Sequence, residues 1–312
     1  MSMKYSVVVP LYNEEGNLRS LDAEIKQALQ SLGGTFEVIY IDDGSTDGSL
    51  KELQTLTGVT ILEMNRNYGQ AVALDAGFKH ANGEIVISLD GDGQNDPADI
   101  RAMLEKLDAE DLDVVAGWRK DRKDSSGINL LTRVGRLMRR LLIKDVVHDT
   151  GCTLRVYRRE AVKSLDIGGE MHRYILAILK WKGFRIGEVV VNHRARVFGV
   201  SKYNYTKAVR GFIDLIGVWF IQKFSQRPLH LFGYMSLSSF FFGGLAGVWT
   251  VYGKIFLGLS LNRNGWALVT MFLLLAGIML FAFGIIIDLL IRIHLNNSPV
   301  EKRYHVRRAI ER

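Results

Sequence analysis

Two stretches toward the end of the chain carry no charged residue: LFGYMSLSSFFFGGLAGVWTVYG (231–253) and GWALVTMFLLLAGIMLFAFGIII (265–287). A bilayer core takes roughly 20 apolar residues of helix, and both runs reach that length. Core helices of a water-soluble domain rarely run so far without a polar face, which disfavours reading them as a buried pair. Glycine recurs in both, which bilayer helices tolerate. The flanks set an orientation. Lys202, Lys207, Arg210, Lys223 and Arg227 precede the first run, and Arg292, Lys302, Arg303, Arg307 and Arg308 follow the second. Only Lys254 and Arg263 lie between. By the positive-inside rule both termini are cytoplasmic and a short hairpin loop is outside. The N-terminal MSMKYSVVVP has no long apolar stretch before a small-residue cleavage site, so no signal peptide is expected.

The first 200 residues then read as a cytoplasmic domain. KYSVVVP (4–10), FEVIYID (36–42), GVTILEM (58–64), EIVISLD (84–90) and DVVAGW (113–118) read as strands. Between them, residues 14–31, YGQAVALDAGFKHA (68–81) and PADIRAMLEKLDA (97–109) read as helices, with Pro97 suited to a first turn. Strands separated by helices predict an α/β fold with a mostly parallel, doubly wound sheet. Ligands of such sheets sit at the C-terminal strand ends. Three of those ends are polar and acidic: PLYNEE (10–15), DDGSTD (42–47) and DGDGQ (90–94). Each alone reads as a solvated turn; three on one expected edge point to a site.

From Arg119 to Lys144 the chain turns basic, and its second half spaces Leu130, Leu131, Val134, Leu137, Met138, Leu141 and Leu142 as an amphipathic helix suited to an anionic membrane surface. Residues 206–224 are a second amphipathic candidate, leading into the first span. The expected organisation is a catalytic domain (1–200), an interfacial region (201–228), two spans (229–292) and a basic tail (293–312).

Several chemistries are excluded by pattern. An EF-hand starting at Asp90 fails at Gln94, Asn95 and Arg101. There is no P-loop, no G-x-G-x-x-G after a strand and no Cys/His cluster with zinc spacing. The single cysteine, Cys152, cannot form an intrachain disulfide. The 40 Lys+Arg against 33 Asp+Glu give a net charge of +7, which suits an anionic partner. The basic residues sit beside the spans rather than on a reading module, so no nucleic-acid role is expected. Asp90 and Asp92 fit a hard divalent ion, Mg²⁺ or Mn²⁺, shared with substrate phosphates, with Gly91 and Gly93 easing the turn.

VVVPLYNEEGNL, IDDGSTDGS, NRNYGQAVALDAGF and ISLDGDGQNDP together resemble the inverting family 2 glycosyltransferases of GT-A fold. DTGCTLRVYRR (149–159), HRARVFGVSKYNY (193–205) and the two spans narrow the resemblance to polyprenyl-phosphate glycosyltransferases. These include dolichyl-phosphate mannosyltransferase and the bacterial undecaprenyl-phosphate glucosyl- and aminoarabinosyltransferases. The resemblance implies that Pro10, Tyr12, Asn13, Glu14 and Gly91 line a nucleotide-sugar pocket. It implies that Asp42 and Asp43 contact base and ribose, and that Asp90, Asp92 and Gln94 hold the metal. It places Arg119, Arg196, Ser201 and Lys202, and more loosely Arg133, around the donor diphosphate and the acceptor phosphate. The family's usual D-A-D is D-G-D here.

Such an enzyme needs no strong base, because a lipid phosphate is already ionised at pH 7, whereas a sugar hydroxyl must lose a proton. Asp149 is the candidate base for a hydroxyl acceptor, and D-x-G-C also suits a structural turn. The chain lacks Q-x-x-R-W, the motif of processive polysaccharide synthases. The resemblance implies transfer of a hexose, UDP-glucose favoured, to undecaprenyl phosphate at a bacterial plasma membrane. GDP-mannose with dolichyl phosphate, a uronic acid or an aminoarabinose donor are the other readings. So is a non-catalytic nucleotide-sugar binding or scaffold protein. Pairing of protomers through the spans is compatible with the sequence.

Overall fold

The computed structural model describes residues 3–120, 147–167, 171–194, 217, 219–220, 223–224, 228–260 and 265–297. The chain divides into two units, residues 1–219 with 304–312, and residues 220–303.

The first unit is built on a seven-stranded sheet. Its strands are β1 (Tyr5–Leu11), β2 (Phe36–Asp42), β3 (Thr60–Glu63), β4 (Ile85–Ser88), β5 (Val114–Trp118), β6 (Arg155–Arg158) and β7 (Ile186–Val190). The order across the sheet is β3-β2-β1-β4-β6-β5-β7. All neighbours run parallel except β6, which is antiparallel to both β4 and β5. The five strands expected from sequence are present, with bounds shifted by a few residues. The alternation in β1 explains the two-sided packing. Val7 and Val9 face one layer, with α1 (Leu18–Leu32) through Leu18, Leu21, Ile25 and Leu29. Val8 faces the other, with α3 (Gln70–His80) through Leu74 and Phe78. Every residue of β1 is buried, as a parallel strand covered on both faces requires.

A short helix, α2 (Ser49–Leu53), follows β2 and packs on the α1 side. A 3-10 turn over Pro97–Asp99 leads into α4 (Ile100–Ala109), whose Ile100, Met103 and Leu107 are buried on the same side. Asp96 caps that turn by accepting a hydrogen bond from the Ala98 N–H at 3.0 Å. Beyond β6, α5 (Arg159–Lys163) and α6 (Ile175–Trp181) add Val162, Ile175, Leu176 and Leu179 to the α3 layer. Parallel β1, β2 and β4 put the ends of all three acidic segments on one edge. The N-terminal end of antiparallel β6 reaches that same edge.

The second unit holds two long helices, α7 (Pro228–Phe256) and α8 (Gly265–Asn297). Both extend past the charge-free runs. Their 29 and 33 residues make about 43 and 50 Å of helix, enough to cross a hydrocarbon core of about 30 Å. They pack closely because small residues line the seam. Ser236, Gly243, Ala246, Thr250 and Gly253 of α7 are buried. Gly277 lies so near Phe240 that an added Cβ would sit 2.9 Å from its ring. Ser236 Oγ donates to the Gly277 carbonyl at 2.8 Å, and Ser239 Oγ to the Leu273 carbonyl at 2.7 Å. The outer faces expose Leu237, Phe241, Leu245, Trp249, Phe272 and Leu275. Only 17% and 11% of the most apolar windows are buried, the reverse of a core helix and suited to lipid.

Candidate active site

A cleft of about 310 Å³ opens at the C-terminal edge of β1, β2 and β4. Pro10, Tyr12, Glu14, Asp43, Asp90, Gly91 and Asp92 line it, all of them expected from sequence. Asn67, Gly69 and Gln70, at the entry to α3, add to the wall, with Leu11 and Ala73.

The cleft floor is set by close backbone approach. Gly91 donates its N–H to the Pro10 carbonyl at 3.3 Å, prolonging the β1–β4 contact past the strand. A Cβ on Gly91 would meet Leu11 Cβ at 2.9 Å, so the position tolerates no side chain without a shift. That gives the D-G-D spelling a steric reason. Asp90 and Asp92 thus emerge on a loop held against β1. Asp90 accepts from Gln70 Nε2 at 2.7 Å and from the Thr153 hydroxyl, which itself accepts from Asn95 Nδ2 at 3.0 Å. Asp92 Oδ1 accepts from the Gln94 N–H at 3.1 Å. Burial and the Asp92 charge push the Asp90 carboxyl well above the usual range, against the pull of Thr153, Gln70 and Arg155.

Two acids close together in the wall of a polar cleft, one pushed up by burial and by the other's charge, fit a divalent ion that would neutralise both. Among the described residues no group of three His, Cys, Asp or Glu side chains converges as a closed metal cage. An ion here would therefore be completed by oxygens other than protein carboxylates. Gln94 stands apart from the cleft wall: its Nε2 lies 3.5 Å from the Arg194 carbonyl.

Asn13 and Asp42 brace the site rather than line it. Asp42 is buried and accepts from the Ser45 N–H at 3.0 Å. Asn13, at φ 58°, donates its N–H to the Ser45 hydroxyl oxygen at 3.0 Å and accepts the Thr46 N–H on Oδ1 at 2.8 Å. This stitches PLYNEE to DDGSTD. Asp43 is also committed, accepting from the Tyr68 and Gly69 N–H groups at 2.7 and 2.8 Å. It holds the turn into α3, and with it Gln70, beside Asp90.

A second cluster sits where β5 ends. Arg119 forks onto Asp149, Nε to Oδ2 at 2.7 Å and Nη2 to Oδ1 at 3.0 Å. Burial alone would raise the Asp149 carboxyl; the Arg119 hydrogen bonds and charge outweigh it and hold it below the usual range. Arg119 is held more firmly charged in return, Asp149 outweighing burial. Glu188 of β7 accepts from the His148 N–H at 2.8 Å and faces His148 Nδ1 at 2.8 Å. His148 stacks on Trp118 with ring centroids 4.4 Å apart. Asp149 is thus an ion-paired anchor and a poor proton acceptor. Arg133, Arg196, Ser201 and Lys202 lie outside the described residues, as do most of both amphipathic candidates.

Sequence reasoning gave no role to Gln70, Thr153, Asn95 or Glu188. The first three stand inside motifs already picked out, NRNYGQAVALDAGF, DTGCTLRVYRR and ISLDGDGQNDP. Glu188 sits in IGEVV, which carries no such signal.

The family model for glycosyl transferase family 2 matches residues 6–166. The dodecaprenyl-phosphate galacturonate synthase of Rhizobium johnstonii is 34% identical, over 99% of this chain and 94% of that protein. An undecaprenyl-phosphate 4-deoxy-4-formamido-L-arabinose transferase of Klebsiella pneumoniae is 33% identical, over 98% and 94%. Among solved structures, glucosyl-3-phosphoglycerate synthase from Mycobacterium tuberculosis superimposes with a TM-score of 0.56 at 20% identity, covering 70% of this chain and 80% of that one. The same enzyme, solved with Mn²⁺ and UDP-glucose, gives 0.56 over 70% and 79%. At that identity the likeness establishes the fold, which is the expected GT-A architecture.

Proposed function

This chain belongs to glycosyl transferase family 2, and from that premise we propose that it moves a sugar from a nucleotide-diphosphate donor to a polyprenyl phosphate at a membrane surface. The observation that carries the reading is the Arg119–Asp149 pair. The candidate base for a hydroxyl acceptor is consumed by a bidentate cation, which suits an acceptor that arrives already ionised. The two apolar helices and the relatives named for dodecaprenyl and undecaprenyl phosphate support a lipid acceptor.

In this reading Pro10, Tyr12, Glu14 and Gly91 seat the donor. Asp42, Asp43 and Asn13 act behind them, keeping the strand-end loops in place. Asp90 and Asp92 would hold Mg²⁺ or Mn²⁺, whose charge steadies the departing nucleoside diphosphate. Gln94, turned to Arg194, is a weaker candidate than the two acids. Arg119, with Arg133, Arg196, Ser201 and Lys202, would hold the acceptor phosphate in line with the anomeric carbon. The phosphate oxygen forms the new bond as the diphosphate leaves, with inversion at that carbon. The helices α7 and α8 would anchor the enzyme, with catalytic unit and termini cytoplasmic.

The names of the relatives move the donor sugar away from glucose and toward a uronic acid or a 4-amino-arabinose derivative. Purified full-length protein with Mn²⁺ and undecaprenyl phosphate tests this. Radiolabel from UDP-galacturonic acid or UDP-formamido-arabinose should enter the lipid fraction, ahead of UDP-glucose and GDP-mannose. Label that stays aqueous with every donor, while nucleotide still binds, would refute the lipid acceptor and favour a sensor or scaffold.

A further inference from the structure

The chain that leaves β7 is fastened to the loop that leaves β4. Asn95 and His193 form an isolated antiparallel bridge, and the Arg194 N–H donates to the Gln94 carbonyl at 2.9 Å. Asp99 accepts from both the N–H and Nδ2 of Asn192, at 2.7 and 3.1 Å. The Arg194 guanidinium reaches Asp96 at 2.9 Å on one side and Glu24 of α1 at 2.5 Å on the other. Three carboxylates thus converge on residues 192–194, Glu24 from α1 and Asp96 and Asp99 from the stretch after β4, the last two within seven positions of Asp92.

This fastening is not needed to hold the donor wall. Gly91 is pinned to Pro10 by the sheet, and Asp90 is held by Gln70 and Thr153. Nor does it fill the core, because Asn192, His193 and Arg194 are exposed. Exposed ion pairs add little to global stability. What it fixes is relative position. It sets residues 192–194 in register with the loop that carries Asp90 and Asp92, and the sequence runs on from them to Arg196, Ser201 and Lys202.

We propose that Asp99 and Arg194, with Asp96 and Glu24, are positioning residues that register the acceptor-holding chain against the donor loop. The proposal rests on the acceptor reading given above. It makes the latch a determinant of acceptor geometry and leaves donor affinity to the cleft.

The experiment uses full-length protein in lipid nanodiscs, carrying Asp99→Ala, Arg194→Ala or Arg194→Lys. Arg185→Ala serves as control: Arg185 makes a comparable surface pair with Asp111 at 2.5 Å, just before β7 and so at the opposite edge of the sheet. KM for undecaprenyl phosphate, kcat, calorimetric affinity for donor with Mn²⁺, and Tm are read for each. Asp99→Ala and Arg194→Ala should raise the acceptor KM about tenfold and lower kcat, with donor affinity within about twofold and Tm near that of wild type. Arg194→Lys should recover part of the loss, and Arg185→Ala should change neither the acceptor KM nor the donor affinity. Should Asp99→Ala not fold, Arg194→Ala makes the same comparison. A parallel fall in donor affinity would overturn the proposal, reducing the latch to a support of the Asp92 loop, and unchanged kinetics would overturn it outright. Wild-type protein that binds donor yet labels no lipid would refute the acceptor reading, and this proposal with it.

Discussion

Asp90 and Asp149 are both carboxylates at the same edge of one sheet, and their neighbours drive them in opposite directions. Asp90 has an acid two residues away and amide and hydroxyl donors, so burial and like charge raise its carboxyl. Asp149 has a guanidinium gripping both oxygens, so its carboxyl is lowered in spite of burial. In the proposed reading the first region takes its cation from outside the chain; the second brings its own. A buried charge needs compensation, and where the compensation comes from separates a ligand-binding acid from a structural one.

The comparison breaks first at Asp92. Asp92→Asn leaves one formal charge for the ion and should cut transfer about 10³-fold, some 4 kcal/mol of barrier, while Tm in EDTA holds or rises. Mn²⁺ should raise the Tm of wild type and not of the variant, in a thermal melt with and without metal. Transfer near wild type would sink the metal assignment.

Asp149→Asn tests the other region. It strands a largely buried Arg119 with half its partner and should cost about 3 kcal/mol in urea unfolding at pH 7. The sign in pH follows from the lowered carboxyl. Its stabilisation is present above the ordinary carboxylate range and is lost as pH falls through the depressed folded value. Wild type should therefore lose stability on acidification more steeply than Asp149→Asn, and equal slopes would show that the pair contributes nothing. For Asp90 the sign reverses: the raised carboxyl is harmless at low pH and destabilises as pH climbs through its folded value. In EDTA, Asp90→Asn should gain on wild type from pH 5 to pH 8.

Gly91→Ala should cost about 1–3 kcal/mol of stability, because Leu11 must yield to the new Cβ, with transfer reduced in proportion. Glu188→Gln has the smallest effect, about 1 kcal/mol, since a carbonyl oxygen still accepts the His148 N–H. A Tm unchanged in both would mean that the backbone at the edge relaxes more freely than the contacts imply.

The sequence exposed most of the donor half. Val7 to Val9 and Val38 to Ile41 are unbroken apolar runs, and the acids at their ends are conspicuous because a buried strand has no other use for them. The far side of the sheet was hidden for physical reasons. RVYR reads as polar, yet Arg155 is buried, its guanidinium donating to the Thr150, Cys152 and His172 carbonyls. The arginine that disguises β6 is what fixes the loop carrying Asp149 and Thr153. IGEVV holds too few apolar residues to announce a strand, and Glu188 looks like surface although it secures His148. Gln70 was visible inside a motif, but only the turn made by Asp43 shows why it reaches Asp90.

The two serine contacts between α7 and α8 fix more than proximity. Ser236 and Ser239 donate to carbonyls of Gly277 and Leu273, four residues apart on the facing helix and therefore one turn apart. A slide of a single residue along the helix axis, about 1.5 Å, would unseat both donors at once and drive the Phe240 ring into a different turn. The hairpin has one depth setting rather than a range. Set in a bilayer as proposed, the pair would tilt or bend the lipid as one peg, because neither helix can be drawn in alone.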